Sequence, residues 1–315
     1  MKVIRSLAEA QTDRNSVVTV GTFDGVHCAH REIIREVTRR ARERSGRSVV
    51  ITFDPHPKEV VSSAKGSVQL LTTIDERIAF LEQLGVDLLL VIRFTFDFSR
   101  ISAEAFYKDY IVNGVGASEV VVGYDHMFGR DRQGSVRELA EMGQVFGFSL
   151  VTVPPYQVDG EVVSSTRVRK ALVAGAIEHA NELLGHPYAL QGVVVEGDRR
   201  GATLGFPTAN VRPEPGNKVV PGRGVYIVRV RLGDSRWYGM MNIGVRPTIR
   251  AGLEETLEVH ILDFQQNIYG EHIHLEFLRT LRSERKFSSL AELTAQLEKD
   301  RGEARRFVAG LEEHR

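Results

Sequence analysis

The chain has 315 residues, 42% of them hydrophobic and 26% charged, which is a globular composition with enough length for two domains. Its 41 basic residues balance 41 acidic ones, so the chain has no net positive charge that would attract nucleic acid or an anionic membrane. Its single cysteine excludes an internal disulfide framework. The first residues lack the apolar core of a signal peptide and no uncharged apolar stretch reaches membrane-span length, so we expect a cytoplasmic protein that binds neither nucleic acid nor membrane.

The first half of the chain alternates short apolar runs with segments of helical periodicity. Continuous apolar runs favour strands buried on both faces, and the helices between them indicate a doubly wound parallel sheet. In such sheets, ligands bind where strands end and helices begin. The predicted strands are Ser16–Val20, Ser48–Phe53, Asp87–Phe94, Ser118–Gly123 and Ser149–Pro154, and the predicted helices are Ala29–Arg44, Thr73–Leu84, Ala103–Ile111 and Val136–Phe146.

The pattern changes near residue 186. From Gln191 onward, short strand-like runs are separated mostly by turn-forming residues, and "TLEVHIL" and "HIHLEFL" alternate with the period of half-buried antiparallel strands. Only Ser288–Leu311 has a helical pattern in this half. The sequence therefore predicts an α/β domain over residues 1–185, followed over residues 186–315 by a small all-β barrel or sandwich with a C-terminal helix.

The segment "GTFDGVHCAH", residues 21–30, leaves the first predicted strand and enters a helix close to His27. Backbone N–H groups at a helix N-terminus bind anions, small residues let phosphates approach, and His27 and His30 can donate hydrogen bonds to the same phosphates. This setting favours nucleotide phosphates. Two alternatives stay open: a metal site, although no Cys or acidic residue nearby completes a ligand set, or two ordinary helix histidines. We interpret Cys28 as a small space-filling residue.

Two further segments are expected to meet that loop if the sheet is wound as predicted. "TFDPHPKEV" carries Asp54 and His56 in a turn stiffened by two prolines. "VVSSTRVRKAL" contains a loop-to-helix transition whose hydroxyl and guanidinium groups suit a polyphosphate. The alternative for this segment is a helix N-cap followed by a solvated basic helix. Its polar residues are Ser164, Ser165, Thr166, Arg167 and Arg169.

Together with "VVGYDHMFG", these motifs resemble the adenylyltransferase half of the bacterial bifunctional riboflavin kinase/FAD synthetases. The resemblance implies a nucleotidylyltransferase-like fold that transfers AMP from ATP to FMN with Mg²⁺ and releases pyrophosphate. It also implies roles for residues of the motifs. His27, His30 and Arg169 would stabilise the phosphates, Gly21, Phe23, Asp24, Ser165 and Thr166 would bind ATP, and Asp54 and Asp125 would lie near the nucleotide or flavin.

Two positions depart from the pattern usual in that family. Ala29 stands where the family usually has Gly, which adds a methyl group where backbone and phosphate approach. His126 stands where the family usually has an aromatic residue, so a titratable ring replaces a flat apolar wall. Because of these two departures, an alternative stays open in which the first half is weak or inactive and only the second half is active.

In the second half, "GDRRGATLGFPTANV" combines a glycine-rich turn with hard oxygen donors. Gly197, Gly201 and Gly205 permit a close turn over phosphates, while Thr208 and Asn210 suit Mg²⁺ shared with ATP. A plain hairpin remains an alternative, because a lone glycine-rich loop is weak evidence.

The strand "TLEVHILDF" places Thr256, Glu258 and His260 on one face. Inside a phosphate site, the carboxylate of Glu258 could accept the proton of an attacking hydroxyl. The alternative is that Glu258 simply faces solvent.

This half resembles the riboflavin kinase domain over its whole length, on the motifs "LGFPTAN", "GVYIV", "MNIGVRPT", "LEVHILDF", "IYG" and "LRSERKF". The resemblance implies a six-stranded barrel with Glu258 as the base for the riboflavin 5′-hydroxyl. Mg-ATP would be held by Thr208 and Asn210, with Gly197, Gly201, Leu204 and Gly205 in the ATP loop and Arg282 and Glu284 on a flap beside the isoalloxazine.

The expected function is therefore phosphorylation of riboflavin to FMN in the second domain and adenylylation of FMN to FAD in the first. A kinase whose first half is weak or inactive is the nearest alternative. A flavin carrier without turnover is a second one, although a carrier has no use for two nucleotide sites. The sequence makes no prediction of the oligomeric state.

Overall fold

The computed structural model describes residues 1–61, 68–127, 134–197, 204–248 and 252–313. The chain divides into two compact units, Met1–Ser165 and Thr166–Arg315. This division precedes the change of sequence pattern at residue 186, on which the domain prediction is based. Among the described helices, none has both the length and the apolar character needed to cross a membrane.

A six-stranded parallel sheet forms the centre of the first unit, and the predicted fold class is confirmed. Its strands are β1 (Lys2–Ile4), β2 (Ser16–Val20), β3 (Ser48–Asp54), β4 (Leu88–Arg93), β5 (Ala117–Gly123) and β6 (Ser149–Val153). They lie in the order β1-β4-β3-β2-β5-β6. Because β3 and β5 lie on opposite sides of β2, the strand order reverses at the carboxyl end of β2, which is where ligands bind in such sheets.

Helices cover both faces of this sheet, because alternate strand residues point to opposite sides. Val49 and Ile51 belong to a core cluster with Ile111, whereas Val50 packs in another cluster with Ile34. A two-stranded hairpin, β7 (Gln157–Val158) and β8 (Glu161–Val162), follows the sheet. The helices are α1 (Cys28–Glu43), α2 (Pro57–Val61), α3 (Ile74–Gln83), α4 (Phe96–Ser99), α5 (Ala103–Phe106) and α6 (Val136–Phe146), with a 3₁₀ turn at Leu7–Glu9 and a π-helical stretch at Tyr107–Gly114.

The second unit contains a closed antiparallel barrel in the order β10-β13-β12-β11-β14-β9. Two helices precede it, and Asn181 ties the second of them to the barrel by donating to the Phe277 carbonyl at 2.9 Å and accepting from the Tyr188 N–H at 2.8 Å. The elements are α7 (Ser165–Val173), α8 (Ile177–Leu184), β9 (Tyr188–Val195), β10 (Ala209–Pro213), β11 (Gly224–Leu232), β12 (Ser235–Thr248), β13 (Gly252–Ile261), β14 (His272–Ser283) and α9 (Leu290–Glu313).

Candidate functional site

The loop that follows β2, residues 21–27, has an unusual backbone. Phe23 has φ 48°, Gly25 has φ 89° and Val26 has φ 41°. The left-handed region is costly for a bulky or β-branched residue, so Phe23 and Val26 store strain. Such strain persists where surrounding contacts impose it, and it is concentrated at functional sites.

Buried polar contacts hold this loop in place. The carboxylate of Asp24, which is 1% exposed, accepts hydrogen bonds from the Leu71 N–H at 2.9 Å and the Thr72 N–H at 3.0 Å. The Gly25 N–H donates to the Thr72 hydroxyl at 2.9 Å. Asp24 therefore contributes to the shape of the loop. The predicted binding of ATP by Asp24, Gly21 and Phe23 stays a prediction.

His27 and His30 meet at the start of α1, as their spacing suggests. His27 is the N-cap, and its Nδ1 accepts from the His30 N–H at 3.3 Å, which leaves the proton on Nε2. The two rings are stacked, with centroids 3.5 Å apart. The buried Nδ1 of His30 has no hydrogen-bond partner among the described residues, as expected of a group that awaits a ligand.

The electrostatic surroundings keep His30 neutral. Its pKa lies well below the ordinary value of 6.5, first because the ring is buried and then because His27, when protonated, and Arg77 would repel a positive charge on it. A metal site gains no support, because the described residues contain no group of three or more His, Cys, Asp or Glu side chains placed to hold a metal ion.

The "VSSTRVR" motif reaches the same loop through Ser165. The Ser165 hydroxyl donates to the Asp24 carbonyl at 3.0 Å, and α7 begins at Ser165. Thr166 and Arg169 lie on α7 and belong to the second compact unit. Their contacts with phosphates stay a prediction.

Asp54 and Asp125 follow the strands on either side of β2. Asp54 is the last residue of β3, and Asp125 is exposed in the turn after β5. Since β2, β3 and β5 are parallel neighbours, their carboxyl ends lie at one edge of the sheet. His126 beside Asp125 is held by the buried Tyr107, whose hydroxyl lies 3.3 Å from Nε2 of His126. Residues 128–129 of the "VVGYDHMFG" motif lie outside the described residues.

Arg77 is a residue of this region that the sequence prediction missed. Although charged, it is only 2% exposed, and its Nη1 donates to the Thr52 hydroxyl at 2.9 Å and the Phe53 carbonyl at 3.1 Å. A signal was present, because Arg77 precedes the buried Leu81 by four residues and so lies on the apolar face of α3.

An aromatic cluster near the end of β3 was also missed. Phe53 packs edge-on against Phe94 at 5.5 Å, and Phe106 stacks on Tyr110 at 5.4 Å. Phe98 contacts rings of both pairs. The phenylalanine-rich segments "RFTFDFSR" and "AEAFYKDY" were the available signal.

In the second unit, strand register brings the predicted metal-binding and catalytic residues together. Asn210 of β10 is paired with Glu258 of β13, and the Thr208 hydroxyl donates to Oε2 of Glu258 at 3.4 Å. Asn242 of β12 is the other cross-strand neighbour of Glu258 and was not predicted as a site residue. Gly197 is required beside this group, because a Cβ there would lie 2.0 Å from Nδ2 of Asn210.

The segment that leads to Thr208 is fixed by contacts with the barrel and α9. Nδ1 of His260 lies 2.8 Å from the Pro207 carbonyl, and the buried Phe206 ring packs against His260 at 5.2 Å and under the Arg301 guanidinium at 5.0 Å. Burial lowers the pKa of His260 below 6.5, and Arg301 adds to the effect. Leu204 packs against the core of this unit and Gly205 has φ +80°. Gly201 lies outside the described residues.

The two predicted flavin-binding residues on and after β14 have different surroundings. Nε of Arg282 donates to the buried Asp300 of α9 at 2.9 Å, so its guanidinium is held by the helix. Glu284 lies beside Gly244 of β12 and close to Asn242, because a Cβ on Gly244 would meet Oε1 of Glu284 at 2.6 Å and Nδ2 of Asn242 at 3.5 Å. Their contact with flavin stays a prediction.

Comparisons with known proteins match both halves of the chain. Residues 9–167 match the family model described as FAD synthetase, and residues 184–308 match the one described as riboflavin kinase. The chain is 38% identical to the bifunctional riboflavin kinase/FMN adenylyltransferase of Listeria monocytogenes over 96% of this chain and 95% of that protein. It is 39% identical to the protein of the same name from Escherichia coli (strain K12), over 98% of both.

A solved structure is also similar over nearly the whole length. It is described as a macrolide-efflux protein from Streptococcus pneumoniae, and it is 32% identical with a TM-score of 0.87. The alignment covers 96% of this chain and 98% of that one.

Proposed function

This chain belongs to the bifunctional riboflavin kinase/FMN adenylyltransferase family, and we propose that separate sets of its residues perform the two reactions. The enzyme phosphorylates riboflavin to FMN and adenylylates FMN to FAD, with ATP as co-substrate in both steps. The observation that carries the division is that each family model covers a segment with its own group of proposed site residues, with Arg169 alone lying just beyond the first match. The match of residues 9–167 does not favour the kinase-only alternative.

We assign the adenylyltransferase to residues 1–185 and the kinase to residues 186–315. The family models support this assignment, since one ends at residue 167 and the other begins at residue 184. We also propose that the enzyme works in the cytoplasm, apart from nucleic acid and membranes, which its balanced charge and single cysteine support.

In the kinase site, Glu258 is the proposed base. Its carboxylate takes the proton of the riboflavin 5′-hydroxyl as that oxygen attacks the γ-phosphorus of ATP and ADP leaves. The hydrogen bond from Thr208 at 3.4 Å orients the carboxylate. Gly197, Gly201, Leu204 and Gly205 form the proposed ATP loop, and Arg282 and Glu284 are the proposed contacts to the flavin.

The donor set of the kinase site fits Mg²⁺. The Thr208 hydroxyl contacts the carboxylate of Glu258, and Asn210 is the cross-strand neighbour of Glu258. Mg²⁺ prefers hydroxyl, amide and carboxylate oxygens of this kind together with phosphates. We propose that Thr208 and Asn210 hold the ion with ATP. When bound, Mg²⁺ neutralises part of the charge on the phosphates.

The adenylyltransferase site needs no protein nucleophile. An oxygen of the FMN phosphate forms a bond to the α-phosphorus of ATP, and the bond from that phosphorus to the bridging oxygen breaks as pyrophosphate leaves. The protein must align these groups and stabilise negative charge. His27 and His30 are the proposed donors to the phosphates, and the orphaned Nδ1 of His30 supports that role.

Other residues complete this site in the proposal. Gly21, Phe23 and Asp24 shape the loop at the nucleotide, and Ser165, Thr166 and Arg169 bind the triphosphate. Asp54 and Asp125 lie near the nucleotide or flavin ends, and the aromatic cluster around Phe98 offers flat apolar surface beside Asp54 for an isoalloxazine ring. We propose that Ala29 and His126 leave this half active, which the match of residues 9–167 to the FAD synthetase model supports.

The test is a time course with riboflavin and Mg-ATP, in which chromatography separates FMN from FAD. We expect FMN to appear first and then to decline as FAD accumulates. FMN that accumulates without FAD would show that Ala29 and His126 mark an inactive first half. Flavin binding without either product would support the carrier alternative.

A further inference from the structure

Arg77 carries a buried positive charge next to the adenylyltransferase site, and the proposed mechanism gives it no role. The guanidinium of Arg77 is 2% exposed, and moving a charge out of water is costly unless other groups compensate. Burial lowers the pKa of Arg77, and the carboxylates of Asp24, Asp54, Glu59 and Glu76 act in the opposite direction. Acidic groups at the site therefore stabilise the protonated, positively charged form of Arg77.

The hydrogen bonds of Arg77 connect two parts of the site. Its Nη1 donates to the Phe53 carbonyl at 3.1 Å, immediately before Asp54, and to the Thr52 hydroxyl at 2.9 Å. Thr52 in turn donates to the Thr22 carbonyl at 3.2 Å, in the loop after β2. One guanidinium thus holds the end of β3 and, through a single hydroxyl, the strained loop that precedes His27.

The charge of Arg77 also matters to an anionic ligand. Burial raises the pKa of Glu59, and the negative charges of Asp54 and Asp24 add to that effect, so the carboxylates at this edge repel one another. They would repel a triphosphate as well. A fixed cation behind the loop offsets that repulsion, and it is too buried to bind the phosphates itself.

We propose that Arg77 is a positioning residue for adenylyl transfer, which joins the end of β3 to the loop after β2 and supplies the positive charge beneath the bound ATP phosphates. The inference rests on the proposed function, since it takes that loop to be the ATP site. Arg77 acts through Thr52 and through its charge, without touching the substrate.

The test compares Arg77→Met, Arg77→Lys and Thr52→Val in the full-length enzyme, with FMN and Mg-ATP supplied. We expect Arg77→Met to raise the KM for ATP in FAD formation by about tenfold or more, because it removes charged hydrogen bonds and the compensating cation. Arg77→Lys loses the forked guanidinium donors but keeps a positive charge that the surrounding carboxylates stabilise, so its KM should rise by less than that of Arg77→Met, to about threefold the parent value. Thr52→Val keeps the charge but breaks the link to Thr22, which lowers kcat/KM by about threefold to tenfold.

Three controls separate this role from a general loss of structure. Arg14→Met removes the same charge from an exposed position before β2 and should leave FAD formation unchanged. Phosphorylation of riboflavin, measured on the same samples, should be unaffected by every variant. Nuclear magnetic resonance should show the pKa of His30 rising in Arg77→Met, because Arg77 and His27 are the charges that act on this ring.

The possible results are distinct. Equal loss in Arg77→Met and Arg77→Lys with a lowered melting temperature would overturn the inference, because it shows packing alone. If Arg77→Met fails to fold, Thr52→Val provides the test instead. A parental kcat/KM in Thr52→Val would overturn the proposed link from Arg77 through Thr52 to Thr22. If His27→Ala with His30→Ala retains FAD synthesis, the ATP site itself is misplaced. If that double variant is inactive and Arg77→Met keeps the parental KM, only the inference about Arg77 fails.

Discussion

The two sites of this enzyme are built on different kinds of backbone. In the second unit, Asn210 and Glu258 meet because neighbouring barrel strands are in register, so the ladder of backbone hydrogen bonds fixes them. In the first unit, His27 and His30 follow a strained loop, which Asp24 holds through contacts with residues distant in sequence. A sheet supports the former site, whereas buried side chains support the latter.

This difference determines how each site can fail. The strand site should be sensitive mainly to groups placed directly on it, since the barrel maintains the backbone. The loop site should also be sensitive to residues that never contact substrate, because its geometry depends on them. The following substitutions test that contrast.

The largest effect is expected from Glu258→Gln. Loss of the proposed base should lower riboflavin phosphorylation by about 10²- to 10⁴-fold while supplied FMN is still converted to FAD at the parental rate. Chromatography of products from riboflavin and from FMN measures both. Glu271→Gln, at an exposed position in the same unit, is the matched control. Parental FMN formation by Glu258→Gln would remove Glu258 from the mechanism.

The converse variant is His27→Ala with His30→Ala. Loss of two phosphate donors should lower FAD formation by about 10²-fold or more and leave FMN formation intact. Because His27 also caps α1, a stability loss of about 1 kcal/mol is expected, which His27→Asn should recover. His179→Ala, on an exposed ring of α8, serves as the control. Retained FAD synthesis would contradict the role assigned to the pair.

A smaller effect should follow from Gly197→Ala. The added Cβ would overlap the Asn210 side chain, and relief of such a clash costs about 1–3 kcal/mol. We expect riboflavin phosphorylation to fall by about tenfold with FAD formation from FMN unchanged. Gly216→Ala, where a Cβ meets open space, should behave like the parent. Equal kinase rates in the two variants would show that Asn210 is not needed where the structure places it.

The smallest effect concerns pH and stability. Partial burial of His260, in the second unit, and burial of the His30 ring, in the first, lower the pKa of each histidine below 6.5. As the pH falls through 6.5, the unfolded chain takes up protons on these rings that the folded chain does not, so the free energy of unfolding decreases below that pH. Because Trp237 is the only tryptophan, its fluorescence follows the second unit during urea unfolding.

His260→Gln should therefore flatten the pH dependence of the Trp237 transition between pH 7.5 and 5.5. His30→Gln should leave that transition unchanged, and so should His272→Gln at an exposed position. An unaltered slope in His260→Gln would mean that the ring takes up its proton in the folded state.

Local patterns predicted those parts of the fold that depend on neighbouring residues. Ser16–Val20 and Val136–Phe146 match the observed strand and helix to the residue, because a buried apolar run and a capped amphipathic segment are local signals. Strand β10 was missed because "ANVRP" contains little apolar pattern, and its strand conformation comes from pairing with β9 and β13.

The candidate sites follow the same division. Glu258, Thr208 and Asn210 could be proposed from the sequence, since a strand period and a motif single them out, and their site roles stay predictions. Arg77 was not, because its importance depends on Thr52 and Phe53, which belong to another element. Tertiary contacts of this kind leave only a weak trace in one sequence, namely a charge on the apolar face of a helix.

A mixture of two inactive enzymes tests most directly whether two separate groups of residues act in series. Glu258→Gln alone and the double variant His27→Ala, His30→Ala alone should each fail to convert riboflavin to FAD. Mixed in equal amounts with Mg-ATP, they should restore FAD formation, because the double variant releases FMN that Glu258→Gln can adenylylate. No FAD from the mixture, or FAD from either protein alone, would contradict the account.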